Sequence, residues 1–195
     1  MSDFRLRVKP LARMAAMVPE AKLERTEAGL QPASDGWFVL NAREAVWVHH
    51  DLLGGAWRIE DAMEFDQLGI SLRVLRPGQP MAYYHGESGQ EDFLVLQGEC
   101  LLLIESEERQ LKAWDLVHCP PWTEHVLIGA GTEPAIVLAV GARVGEGIRY
   151  PVSELARRYR AGADEETTVP DEAYARVGRL GHAPRGAYRE GDLPD

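Results

Sequence analysis

Four side chains able to bind a metal or move a proton fall into one pattern: His85, Glu87, Glu91 and His125. His85 and Glu87 are two apart on an extended segment, and at a period of two they share a face. Glu91 follows across the turn Ser88-Gly89-Gln90 and has the same parity as Phe93 and Val95. It therefore points where the core points, and a carboxylate facing a barrel interior is costly unless paired or bound to a cation. His125 begins a later strand, just after the rigid turn Pro120-Pro121. Two imidazoles and two carboxylates converging this way suit one divalent transition metal: iron, manganese, zinc or nickel. Glu87 is the least constrained. It reads as a fourth ligand, as a possible catalytic base, or as a solvated turn carboxylate. Without it, His85, Glu91 and His125 make the facial triad of non-haem iron oxygenases.

Other residues frame this set. Tyr83 shares the parity of His85 and, with Trp122, is a candidate pocket wall, against the reading of both as ordinary aromatic core. Tyr84 has the opposite parity and should face away. Arg73 alternates with Leu72 and Val74 and reads either as an inward anion anchor of the pocket or as an exposed residue. His118 reads as a packed histidine or one supporting the ligands, His49-His50-Asp51 as an exposed turn or pocket rim, and His182 as solvated. Cys100 and Cys119 read as buried free thiols.

The elements that must position these residues are short strands. Trp37–Leu40, Ile70–Leu75, Met81–His85, Phe93–Leu96, Cys100–Ile104, Leu111–Trp114, Leu116–Cys119, His125–Ile128 and Ala135–Val140 alternate or run apolar between turn signals. Such spacing predicts an all-β sandwich or barrel. Three parts follow: an N-terminal extension over 1–35, a β-barrel over 36–145, and a helical and irregular tail over 146–195. Pro19–Ala28 is expected to form a short helix stopped at Gly29, with the residues before Lys9 loose. Ser153 is expected to cap a helix running to Arg160, and Asp171–Val177 to form another. Strands or a covering loop are both open for 36–69, where Trp47, Trp57, Asp61 and Asp66 have no assigned role.

The chain resembles the cupin superfamily. The first motif of that family reads Gly, five residues, His-x-His, three or four residues, Glu, six residues, Gly. Here Glu91, six residues and Gly98 fit, and Pro77-Gly78 opens the motif. One extra residue after Gly78 gives His85-x-Glu87, so Glu87 replaces the second histidine. Strict counting would put Tyr84 and Gly86 there instead. In the second motif, Gly, five residues, Pro-x-Gly, two residues, His, three residues, Asn, the chain has Trp114, Pro120, Trp122, His125 and Gly129. The resemblance implies a double-stranded β-helix, or jelly roll, with short helical and irregular N- and C-terminal extensions. It also implies a metal-binding barrel of unassigned small-molecule chemistry: an oxygenase, or a sugar or acid isomerase or lyase. The alternatives are a non-catalytic small-molecule-binding protein and a structural dimer that exchanges edge strands or tails.

Charge narrows the partners. The chain carries net charge −10, and residues 31–145 hold 17 acidic against 7 basic residues. That surface repels phosphate backbones and anionic lipid, so neither nucleic acid nor a membrane is expected. Arg5, Arg7 and Lys9 precede no apolar stretch of the signal-peptide kind. With 18 Arg against 3 Lys, the composition points to a high-GC bacterial gene. The expectation is a cytoplasmic homodimer with a small-molecule ligand.

Overall fold

The computed structural model describes residues 17–59, 63, 65–144 and 147–194. The expectations for Arg5, Arg7, Lys9 and Asp61 lie outside the described residues. In chain order the strands are β1 (Leu23–Thr26), β2 (Gly29–Pro32), β3 (Val46–His50), β4 (Gly54–Arg58), β5 (Leu68–Leu75), β6 (Gly86–Glu87), β7 (Glu91–Gln97), β8 (Glu99–Ile104), β9 (Glu107–Lys112), β10 (Leu116–Cys119), β11 (His125–Ala130), β12 (Ala135–Ala142), β13 (Ile148–Arg149) and β14 (Arg185–Ala187). Two short helices, α1 (Glu154–Arg158) and α2 (Pro170–Ala173), lie between β13 and β14. None of the described helices is long and apolar enough to cross a membrane.

A seven-stranded antiparallel sheet, in the order β10-β7-β12-β5-β4-β3-β14, faces a three-stranded sheet, β11-β8-β9. The chain changes sheets at Gly98, between β7 and β8, and again between β10 and β11. From β7 to β12 the chain passes back and forth between the two sheets, with only β8 and β9 consecutive in the small one, as in the double-stranded β-helix. Leu75, Phe93, Val95, Val117 and Val137 from the large sheet meet Cys100, Leu102 and Leu127 from the small one. Cys100 and Cys119 are free and buried, as their apolar strands imply.

The run Cys100–Ile104 is continuously apolar because β8 is covered on both faces. Cys100 and Leu102 point into the barrel, whereas Leu101 and Leu103 meet Tyr84, Val126, Ile128, Ala156 and Ala161 outside it. That outer layer is α1, whose Ser153 cap accepts a hydrogen bond from the Ala156 N–H at 3.2 Å.

Three expected elements take other forms. Pro19–Ala28 is not helical. It leads into the β1–β2 hairpin, whose register pairs Thr26 with Gly29. A helix there would have had almost no apolar face to bury. Gly29 has φ 136°, and a Cβ on it would meet the Ala45 carbonyl oxygen at 2.6 Å. Trp37–Leu40 contributes only a bridge from Trp37 to Glu20. Met81–His85 is not a regular strand, because its backbone donors split between two partners. Met81 and His85 bond to Leu127 and His125 of β11, while the Tyr84 N–H turns outward to Ala161. The 36–69 region supplies β3 and β4 to the large sheet, and Trp47 is buried there with its Nε1 donating to the Ala42 carbonyl at 2.8 Å.

Candidate metal centre

Glu91 opens β7 in phase with Phe93 and Val95, so its side chain enters the barrel mouth beside them. His125 opens β11. The segment carrying His85 runs alongside, and the two histidines exchange both backbone hydrogen bonds, at 3.2 and 2.9 Å. That antiparallel bridge sets their rings 5.1 Å apart, centroid to centroid. The turn before His125 is tied to the same segment, since the Trp122 N–H donates to the Glu87 carbonyl at 2.6 Å. Trp114 and Trp122 stand at the two motif glycines and have φ of 76° and 67°. The left-handed backbone those positions demand is kept, although tryptophan adopts it at a cost in strain. Gly129, at the motif's last position, has no room for a side chain: a Cβ would meet the Arg76 carbonyl oxygen at 2.4 Å.

His85, Glu91 and His125 offer ligand atoms that all lie within 4.8 Å of one another. Each histidine commits its Nδ1 to a backbone carbonyl, of Tyr83 at 2.6 Å and of Thr123 at 2.9 Å. A carbonyl only accepts, so Nδ1 carries the proton and Nε2 faces the centre. His125 Nε2 is buried and has no hydrogen-bond partner. It lies 3.4 Å from Glu91, while His85 Nε2 lies 3.8 Å from Glu91 and 3.5 Å from Glu87. The His85–Glu87 contact is at the long limit of hydrogen bonding, and the separations within the group suit ligands about 2.1 Å from one cation, which sit roughly 3–3.5 Å apart. The donor set therefore fits a divalent transition metal. Glu87 adjoins the three without belonging to the tight group.

The four groups ionise differently. Burial, helped by the charge of His85, pushes His125 down to about 4. Burial pushes Glu91 up to about 7. Burial also opposes a charge on His85, but its hydrogen bond to Glu87 and the charges of Glu91 and Glu87 outweigh this and raise it. Glu87, opposed by burial as well, is brought below the usual carboxylate range by the same bond and charge. Protons on Glu91 and His85 must leave when a cation enters.

Above the centre is a cavity of about 370 Å³, lined by His85, Glu87, Glu91, Phe93, Arg73 and Tyr150, among others. Arg73 points inward and is 8% exposed. Tyr83 and Trp122 are not part of this wall. Tyr83 stacks on Tyr174 at 4.5 Å and packs with Leu53 and Ala163 outside the cavity. The irregular backbone from Met81 to His85 breaks the parity that would have aimed it at the metal. Trp122 is 52% exposed, because its left-handed backbone throws the ring outward over Gly147. Besides Phe93, the pocket's aromatic wall is Tyr150 and Tyr174, joined by Arg179 and Leu180. All four follow β12, where polar, irregular sequence carries no motif. Tyr84 does face away, into the layer under α1. His118 is exposed and its Nδ1 hydrogen-bonds Asp92 at 2.7 Å on the outer face, so it does not support the ligands. His50 lies on β3, where its Nε2 donates to the Val177 carbonyl at 2.8 Å and docks the C-terminal segment.

Residues 71–141 match the cupin domain family (Cupin_2), so the chain carries a cupin domain over that stretch. No curated protein matches the chain. Similar solved structures include a candidate sugar phosphate isomerase from Acidithiobacillus ferrooxidans, at 26% identity and TM-score 0.44 over 48% of this chain and 61% of that one. Another is a cupin-superfamily sugar phosphate isomerase from Silicibacter pomeroyi, at 25% identity and TM-score 0.45 over 58% and 68% of the two chains. The DMSP lyase DddQ from Ruegeria pomeroyi is 18% identical, with TM-score 0.41 over 48% and 49%. The chain thus spans less than two thirds of the first and about half of the last.

Proposed function

We propose that this cupin holds one divalent transition metal at His85, Glu91 and His125 and acts on a small polar molecule bound in the cavity above it. The observation that carries the proposal is His125 Nε2, a buried nitrogen with its partner face turned to Glu91 and no hydrogen bond to satisfy it. A bound metal would supply Lewis-acid polarisation of an oxygen on the ligand, as isomerases and lyases use. Glu87 supports that class over others. Its side chain is 39% exposed, lines the cavity and favours the ionised form. It can accept a proton from a carbon or hydroxyl of the bound molecule. Phe93 and Tyr150 exclude water from one side of the cavity.

A second reading is an iron-dependent oxygenase, favoured by the two-histidine, one-carboxylate composition of the tight group. The deciding experiment is metal analysis of protein purified without chelator, wild type beside His125→Ala. Near-stoichiometric metal lost in the variant supports the site; iron selects the oxygenase branch, and manganese, zinc or nickel the Lewis-acid branch. A metal-free wild type that cannot be reconstituted anaerobically overturns both and leaves a binding or structural barrel. The proposal includes a homodimer, for which the free edge at β10 offers Trp114 and Leu116, 75% and 67% exposed. Light scattering checks it.

A further inference from the structure

We propose that Arg73 anchors an anionic group, a carboxylate or a phosphate, of the molecule the cavity holds; this rests on the cavity being a ligand site. Arg73 sits on β5, whose inward positions Ser71 and Arg73 line the cavity with the metal-site residues His85, Glu87 and Glu91. Arg73 is buried, 8% exposed as a residue. Its Nη2 donates to the carbonyls of Leu53 at 3.1 Å and Met81 at 2.6 Å, and its Nε has no partner. Both acceptors are neutral. Among the described residues no carboxylate forms an ion pair with Arg73.

A buried cation in this state is unusual, because a charge taken out of water is normally matched by an opposite one. Of the other cavity-lining arginines, Arg179 is ion-paired with Asp171 at 3.1 Å. Arg58 and Arg179 line the same cavity, and the two carboxylates there, Glu87 and Glu91, belong to the metal end. With those two engaged by a cation, the Arg73 end is left positive. Arginine binds carboxylate and phosphate through its charged N–H donors, and with Nη2 committed to two carbonyls the unpartnered Nε–H is the donor left to meet an oxyanion. The Ser71 hydroxyl, two residues along the same strand face, adds a neutral donor or acceptor. The geometry describes a ligand with an oxyanion at the Arg73 end and an oxygen function at the metal end.

The test uses the full chain labelled with 15N-arginine and titrated separately with sodium acetate and inorganic phosphate at constant ionic strength. The Arg73 Nε signal, assigned by its loss in Arg73→Lys, should shift saturably with one of the two, and the stronger response names the class. Affinity measured by calorimetry should fall about ten- to a hundredfold in Arg73→Met, as expected for loss of a charged hydrogen bond. It should persist in His125→Ala. If neither anion moves the Nε signal, the inference is overturned. If binding vanishes in His125→Ala but survives in Arg73→Met, the anion sits on the metal, and the inference fails while the metal site stands. If Arg73→Met does not fold, the wild-type Nε titration and the His125→Ala calorimetry still decide. Failure of the metal reading shows separately, in metal content.

Discussion

The segment 71–141 and the segment 148–187 both line one cavity, but they do so by different physics. In the first, His85, Glu91 and His125 are aimed by backbone pairing: strand phase for Glu91, and a reciprocal pair of backbone hydrogen bonds for the histidines. In the second, Tyr150 and Tyr174 are aimed by docking onto the barrel. The Tyr174 hydroxyl accepts the Tyr83 N–H at 2.8 Å, and Arg149 pairs with Glu124. Metal ligation tolerates errors of a few tenths of an ångström, so it is built on hydrogen-bond register. A wall needs only bulk and a hydroxyl in the right region, which tertiary packing can supply from irregular chain. The two segments should therefore fail separately.

The largest expected effect is confined to the barrel. His125→Ala should weaken metal affinity more than a hundredfold, read by competition with a chromophoric chelator, while Tyr174→Phe leaves metal stoichiometry unchanged. Equal loss of metal in both variants would erase the distinction. Next comes Glu91→Gln. Its folded-state pKa is raised to about 7 from 4.5, so the fold favours the protonated form, and the stability this gives is lost as pH rises through 7. In chelator-treated protein the variant should exceed wild type by roughly 3 kcal/mol at pH 8 and match it near pH 4.5, by urea unfolding. For the same reason, metal affinity of the wild type should fall as pH drops below about 7, where Glu91 takes up a proton, and the raised affinity of His85 for a proton adds to the loss.

Tyr174→Phe tests the other segment. It leaves the buried Tyr83 N–H without an acceptor, at a cost of about 1–3 kcal/mol in unfolding free energy. Hydrogen exchange at Tyr83 should quicken at the same time. The smallest effect is expected for Ser153→Ala, which removes the cap of α1 and should cost about 1 kcal/mol in thermal unfolding.

The same contrast explains what could be read in the amino-acid sequence. Glu91 was legible because parity ties it to Phe93 and Val95, and His125 because a rigid turn fixes its place. An all-β sandwich or barrel followed from short strands at regular spacing, and the double-stranded β-helix from the motifs that resemble the cupin superfamily. Parity failed for Tyr83 because Met81–His85 divides its hydrogen bonds between β11 and Ala161. Trp122 was misplaced because a left-handed backbone reverses the direction of its side chain. Tyr150 and Tyr174 were missed because nothing local marks a residue whose position is set by a partner far along the chain. The N-terminal hairpin was mistaken for a helix because acidic spacing alone does not distinguish the two.

The pairing of β14 with β3 has a bearing on how the molecule is made. His49 and Ala187, joined through the imidazole Nε2, are 138 residues apart. Until Arg185–Ala187 is synthesised, the backbone groups of β3 facing that side have no strand to pair with. An open edge of this kind invites pairing with another nascent chain, and contacts across such sequence distances form slowly. The large sheet is therefore completed late, and the interval before β14 arrives is when the polypeptide is most exposed to self-association.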